Sequence, residues 1–502
     1  YTVGYLEGLA TYESISNNWY NAIRKKEALM TAYERKFIAT LVNGTRSLSP
    51  TSAFNRQALS IMRQIDGVYD GWKAANTAAG SPAWLQNVTW DSMLLISMFE
   101  ELTAIGDSEP ESDVRASRPT HCHAAMRVHG SELLIGHAAQ DDYTNLLRQW
   151  KTYEFSEGRN VTMSSYPGFV HSSDDFMVNG HGVFMMSTSL VDYNPQLMQE
   201  LKPTGVPGFV QLLVATYLAA TPREYADIWG PNNNGALQNQ AMIVDLRRAQ
   251  AALDAGMPLP PHTFVMCENY PTVYECGDMT WWLNSGKPWI SFDVAYFNST
   301  REIGGSNSPV ALTYDQGYGA WPSSVAAPLE RTMEYATDVT SMFYAMRHNN
   351  YPHDPLLVIP GCNQSQSQWV QLNCPNDPTI YTAPVLTFGV RQDLGSEIFD
   401  FGPAGNAQFH PNAFGSIDGK ATSARMLADP ANMTVILQNG PTSVQHPPFS
   451  FSEFYASHPA INDTTPRRGI PDRLDFSPVV VRPLSGFSAQ QRACAPGGGS
   501  VA

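Results

Sequence analysis

The sequence predicts an α+β fold in which helical layers cover antiparallel strands, and three observations carry that prediction. Apolar residues recur at helical spacing before residue 106, hairpin signals begin at Cys122, and helices alternate with strands from there to about Val481. From residue 14 to about 41, Ile15, Trp19, Ile23, Leu29, Ala32, Phe37 and Leu41 follow roughly helical spacing, with Arg24-Lys25-Lys26 on the other side. Similar stretches cover about 54–75 and 93–105. At Cys122 the period changes to two: Ala124, Met126 and Val128 alternate with Ala125, Arg127 and His129. Gly130-Ser131 supplies a turn and Leu133-Leu134-Ile135 a returning strand.

Residues 143–155 read as a helix. Phe176-Met177-Val178 and Val183-Phe184-Met185-Met186 flank Asn179-Gly180, a strong hairpin signal. Helices are expected at 209–219 and from Thr221, where Thr221 caps, Pro222 suits the first turn and Glu224 completes a capping box. Strands follow at 242–246 and 263–266, then a helix at 330–347 and a polar loop from His348 to Pro355. Residues 366–384 read as loop, 478–481 as a strand, and 485–502 as a flexible tail.

Composition bounds the function. The 502 residues are 43% hydrophobic and only 15% charged, enough to bury a large core. The formal charge of −15, without a basic run, makes nucleic acid a poor partner. Asn-X-Ser/Thr sequons begin at Asn43, Asn87, Asn160, Asn298, Asn363, Asn432 and Asn462, which favours a secretory route. The six cysteines agree: Cys267 with Cys276, and Cys362 with Cys374, could each close a local disulfide loop, while no C-x-x-C spacing suggests zinc. The pairing of Cys494 stays open. No leader is visible ahead of Tyr1, so one is expected to have been removed. No apolar run reaches the roughly 18 to 20 residues of a membrane span.

Cys122 is the candidate nucleophile. It heads a strand directly after Asp107-Ser108-Glu109-Pro110-Glu111-Ser112-Asp113, an acidic stretch that reads as an exposed, removable loop near 106–121. Spacing alone leaves two readings open, a small buried residue or a nucleophile. A cut between His121 and Cys122 would give the thiol its own base, the new α-amino group, whose reference pKa is about 7.7 to 8.0.

The residues resemble a known family. Gly4-Tyr5-Leu6-Glu7-Gly8, the Cys122 hairpin ending in Gly136-His137, Ser164-Ser165-Tyr166-Pro167-Gly168, Asp174-Asp175-Phe176, Asn239-Gln240 and His353-Asp354-Pro355 are similar, in order, to the phospholipase B-like lysosomal hydrolases. The resemblance implies a four-layer αββα N-terminal nucleophile hydrolase fold with two stacked antiparallel sheets. It also implies cleavage before Cys122 into fragments of 121 and 381 residues that stay associated. The helical segment 1–121 is then part of one globule with the core at 122–484.

The implied activity is a self-processing thiol hydrolase acting on ester or amide bonds of lipids, in a lysosome or outside the cell. His137 would orient or polarise the site, and Asn239 and Asn284 would stabilise an oxyanion. The expected partner is a lipid or N-acyl small molecule, with a homodimer as the assembly to test, and no cofactor or metal. The sequence departs from the family pattern at Ala138-Ala139-Gln140, which replace Asn-Thr-Trp, and at Val325, where an arginine is expected. Those departures support an alternative: a catalytically degenerate member that serves as a secreted or surface binding glycoprotein.

Overall fold

A computed structural model of the chain describes residues 1–110, 122–155, 160–194, 196–231, 233–306, 326–354, 384–395, 411–428, 433–461 and 467–482. Two large antiparallel sheets organise them. The first holds β1 (Cys122–His129), β2 (Glu132–Asp142), β10 (Trp289–Ser291), β11 (Phe414–Ser416), β12 (Asp418–Ser423), β13 (Val435–Asn439) and β16 (Val479–Val481). Its order is β10-β1-β2-β12-β13-β16, with β11 also pairing with β2. The second sheet keeps sequence order: β3 (Gln149–Tyr153), β4 (Val161–Ser165), β5 (Phe176–Asn179), β6 (Val183–Ser189), β7 (Asn239–Asp245), β8 (Phe264–Tyr270) and β9 (Val273–Asp278). A short pair, β14 (Phe449–Ser450) and β15 (Arg473–Leu474), stands apart.

Side-chain alternation along the strands explains the layering. Ala124, Met126, Leu133 and Ile135 of the first sheet pack with Phe176, Phe184, Met242 and Met266 of the second, forming the core between the sheets. Ala125 and Leu134 point the other way, onto Leu329, Met333, Met342 and Met346 of the helices Ala326–Glu334 and Val339–Met346. Met163, Met177, Met185 and Ile243 leave the second sheet on its outer face and share a core with the N-terminal helices and the helix Gly208–Leu218. The result is the αββα order expected from the sequence.

The Gly4-Tyr5-Leu6-Glu7-Gly8 motif has a packing reason. Gly4 and Gly8, on one face of the helix Thr2–Ala10, meet Gly67 and Gly71 of the long helix Ala53–Ala78. A Cβ on Gly8 would lie 2.2 Å from the Val68 carbonyl oxygen, and backbone cannot retreat as a side chain can. Between the two glycines, Glu7 accepts from Lys151 Nζ at 2.6 Å and from Tyr153 Oη at 2.7 Å, which ties this helix to β3. Replacing Gly8 with Val should therefore cost about 3 kcal/mol and release the helix. Thermal denaturation, together with hydrogen exchange confined to residues 2–10, measures it; unchanged protection there would contradict this packing.

Several sequence expectations are met. The hairpin at Cys122, the Asn179 turn and the strands at β7, β8 and β16 all form. Thr221 Oγ1 accepts from Glu224 N, with Pro222 in the first turn, while Glu224 reaches back to Ala220 N and not to the capping residue.

Others are corrected. Residues 143–155 are not a helix: after a single turn at Tyr143–Asn145 comes β3, where Lys151 and Tyr153 are buried and Trp150 and Thr152 are not. That alternation has period two, and pairing with β4 overrides the helical reading. The helix at 330–347 is two helices, because Asp338 forms a capping box with Ser341 and starts a new one. Thr31 does the same with Glu34 and divides the first helical stretch. Another division, between Trp90–Ser97 and Glu101–Asp107, splits the stretch at 93–105.

Cys267 and Cys276 face each other across β8 and β9 and form a disulfide. Cys362, Cys374 and Cys494 lie outside the described residues, as do Val325, the loop reading at 366–384 apart from Pro384, and the tail beyond residue 482. Among the sequons, Asn43, Asn87 and Asn298 are exposed and Asn160 is half-buried; Asn363, Asn432 and Asn462 lie outside the described residues. Among the described residues, no helix is long and apolar enough to cross a membrane.

Candidate active site

Register places the reactive groups. β1 begins at Cys122, which sits opposite Ala139 of β2, and the next pair on that face is Ala124 with His137. His137, expected to orient or polarise the site, therefore faces Ala124, one pair further along the hairpin than Cys122. His121 and residues 111–120 of the removable loop lie outside the described residues.

A cavity of about 390 Å³ opens beside Cys122. Ala139 and Gln140, two of the departures from the family pattern, line it with Asp175, Ser187 and Asn239. Asn239 opens β7 opposite Ser189 of β6, so the sheet's register brings it to the cavity. Asp175 precedes β5 with a backbone φ of 43°, a left-handed conformation uncommon outside glycine. Its Oδ2 accepts from Ser187 Oγ and, at 2.8 Å, from Asn239 Nδ2.

Asn284 does not line this cavity. It ends the helix Thr280–Asn284 with an exposed side chain whose Oδ1 accepts from Leu259 N and whose Nδ2 donates to Leu259 O, both at 2.9 Å. Both polar atoms bond at that turn, and the side chain lies outside the lining of the Cys122 cavity, away from where the expected oxyanion role would need it. Asp354 is structural as well, paired with Arg331 in a buried position. This gives Asp354 a structural reason; Pro355 lies outside the described residues.

Behind the cavity lies a charge network that the sequence did not announce. Lys420 of β12 is fully buried, its Nζ 2.5 Å from Asp174 Oδ2 and 2.6 Å from Asp418 Oδ2. Arg148 also pairs with both carboxylates. Asp418 Oδ1 accepts from Ala139 N at 3.0 Å, which fixes β2 at the residue opposite Cys122. Burial alone would raise the Asp174 carboxyl, but Arg148 and Lys420 outweigh it and hold the group well below the usual carboxylate range. His137, Asp174 and Asp418 each bring a potential metal-ligand atom within 4.8 Å of the others. The Lys420 ammonium already supplies positive charge between the two carboxylates, so this cluster does not call for a cation.

Electrostatics assigns protonation states. Burial, reinforced by Asp293 and Asp174 and opposed by Lys420, pushes the Cys122 thiol well up, so in an uncut chain it stays protonated. Burial and then Lys420 lower His137 to about 4. Its Nε2 lies 3.0 Å from the Ser187 carbonyl oxygen, and a carbonyl partner requires that nitrogen to carry the proton. His137 is thus a neutral support between the sheets. Burial pushes Asp175 up to about 7, with Asp174 adding to the shift. The adjacent pair Asp174-Asp175 was visible in the sequence, yet nothing local shows that one is ion-paired and its neighbour opens on a cavity.

His171, outside the cavity lining, is buried against the end of the helix Trp90–Ser97. Its Nε2 lies 2.9 Å from the Ser97 carbonyl oxygen, its ring stacks on Phe209, and burial lowers it to about 4. An unfolded histidine gains its proton near 6.5 whereas the folded one resists until about 4, so this group's contribution is lost as pH falls through that window. Replacing His171 with Phe should cost about 1 kcal/mol near neutral pH through the lost hydrogen bond. Towards pH 4 the deficit should shrink or reverse, by on the order of 2 to 3 kcal/mol. Paired thermal melts across that range provide the measurement; a deficit independent of pH would contradict the neutral assignment.

Comparisons with known proteins agree in extent. The family described as phospholipase B matches residues 1–481. Phospholipase B-like protein B of Dictyostelium discoideum is 25% identical over 96% of this chain and 80% of its own length. Phospholipase B-like protein C of the same organism is 26% identical over 95% and 80%, and human phospholipase B-like 1 is 28% identical over 75% and 69%. From the glycine-faced first helix to the last strand of the first sheet, this chain belongs to the phospholipase B family.

Proposed function

We propose that the protein is a thiol acyl hydrolase whose nucleophile is Cys122, freed as a chain terminus by cleavage after His121. Family membership supports a hydrolase-type function. The observation that carries the finer reading is the position of Cys122 at the head of β1, lining the same cavity as Asn239 and Asp175. The thiol is also the one free cysteine among the described residues.

The chemistry follows from the groups present. In the uncut chain the thiol is held protonated and no α-amine is available, so the precursor does not hydrolyse acyl substrates. Cleavage creates an α-amine that accepts the Sγ proton, and sulfur then attacks the carbonyl carbon of an ester or amide. Asn239 Nδ2 has two hydrogens; one is committed to Asp175, and the other is available to the oxyanion. Collapse expels the alcohol or amine, which takes the proton from the α-ammonium. The resulting thioester is hydrolysed by water, returning the proton to sulfur. Asp293, in a left-handed conformation two residues beyond β10, raises the Cys122 thiol through its charge, which supports a role for it as partner of the α-ammonium.

The substrates this reading favours are acyl lipids or N-acyl amines, met in a lysosomal or extracellular setting. Trapping tests it: the full chain, incubated under acidic conditions with a short-chain acyl ester and quenched, should show the acyl mass on the peptide that begins at Cys122. Turnover with the acyl group on another residue, or without an adduct at Cys122 under single-turnover conditions, would refute the assignment.

A further inference from the structure

The cavity beside Cys122 has a pronounced sign of charge. Its described lining includes the carboxyl groups of Glu100, Asp141, Asp142, Asp174, Asp175 and Asp192 against a single cationic side chain, Lys26, whose Nζ lies 3.7 Å from the centre of the Phe99 ring. Asp174 is discharged by Lys420 and Arg148, and burial holds Glu100 toward its neutral form, which leaves Asp141, Asp142, Asp175 and Asp192 around a site of about 390 Å³. Apolar groups complete it: Leu190, Val191, Leu237 and Phe414 give an acyl chain somewhere to lie.

Asp175 adds an observation independent of that composition. Only 4% of the residue is exposed, and while Oδ2 is engaged by Ser187 and Asn239, Oδ1 is buried without a hydrogen-bond partner. A buried acceptor left unpaired is costly, and a donor from a ligand would remove that cost. Clefts walled by one sign of charge focus the field, concentrating cations and repelling anions. A phosphate brought among these carboxyl groups meets like charge, whereas an ammonium meets opposite charge and can donate to Oδ1.

We infer that the cavity selects acyl compounds whose head group is a protonated amine, bound through donation to Asp175 Oδ1, and disfavours the same acyl group on a phosphate head. This rests on Cys122 being the nucleophile. Burial and Asp174 keep the Asp175 carboxyl near 7, and Glu100 also faces this part of the cavity; a bound ammonium favours the ionised form.

The test uses the cleaved full-length protein at about pH 7 and three octanoyl esters with one acyl chain and one ester linkage: those of 3-aminopropanol, 1-propanol and 3-phosphopropanol. The expected kcat/KM order is ammonium, neutral, phosphate, with at least about a tenfold span that narrows as salt rises from about 0.02 to 0.5 M. Asp175→Asn should reduce the ratio of ammonium to neutral ester. Equal rates, or a preference for the phosphate ester, overturn the head-group inference while leaving the hydrolase reading intact. Hydrolysis of none of the three, by chains shown to begin at Cys122, overturns both. The wild-type ratio and its salt dependence decide the question even where the variant fails to fold.

Discussion

Replacing Cys122 with Ala abolishes hydrolysis, with a loss of at least about a thousand-fold in kcat, and leaves the chain uncut. On the proposed mechanism the same atom carries both outcomes: without Sγ there is no nucleophile for the acyl group and none for the proposed cleavage after His121. The fold should survive, because the residue is small, buried at the start of β1 and opposite another small residue, Ala139. Melting within a few degrees of wild type is therefore expected, which separates loss of chemistry from loss of structure. Hydrolysis at an undiminished rate would remove Cys122 from the mechanism. Cys122→Ser provides an intermediate case, since a hydroxyl can attack but is the weaker nucleophile.

Lys420→Met is expected to have the largest effect on stability, about 3 to 5 kcal/mol. The side chain is enclosed, sits between Asp174 and Asp418, and lies 5.6 Å from the centre of the Phe176 ring. Methionine approximates its volume but leaves two buried carboxylates to Arg148 alone. The damage should extend to function, because Asp418 also holds the Ala139 amide opposite Cys122. Adding Asp418→Asn to Lys420→Met should recover part of the loss, since it removes one uncompensated charge; denaturant melts of the single and double variants measure that coupling. A single variant as stable as wild type would show that the network is not a structural support.

Local chemistry in the sequence predicts much of the architecture and less of the site. The Cys122 hairpin is legible because Gly130-Ser131 interrupts clear alternation, and the Asn179 turn because few other pairs fit it. The helix Gly208–Leu218 stands out as a largely apolar segment, interrupted by Gln211 and Thr216. The partner of His137 is legible too, since a two-residue turn at Gly130-Ser131 pairs His129 with Glu132 and so Ala124 with His137. Where the reading fails, a distant partner decides. β3 is a strand because β4 pairs with it and because Glu7 takes up Lys151 and Tyr153. Lys420 and Asp174 are 246 residues apart, and no period or motif joins them. Asn284 misleads for the converse reason, a polar residue near a recognised stretch whose hydrogen bonds are spent on Leu259. Asn239 and Cys122, both placed from the sequence, do share the cavity.

The central claim concerns a chain end. N-terminal sequencing of the protein after incubation under acidic conditions tests it most directly. The account predicts a fragment whose first residue is Cys122 and which remains bound to the helical segment. A chain that stays intact at the His121–Cys122 bond while hydrolysing acyl substrates at full rate would contradict it.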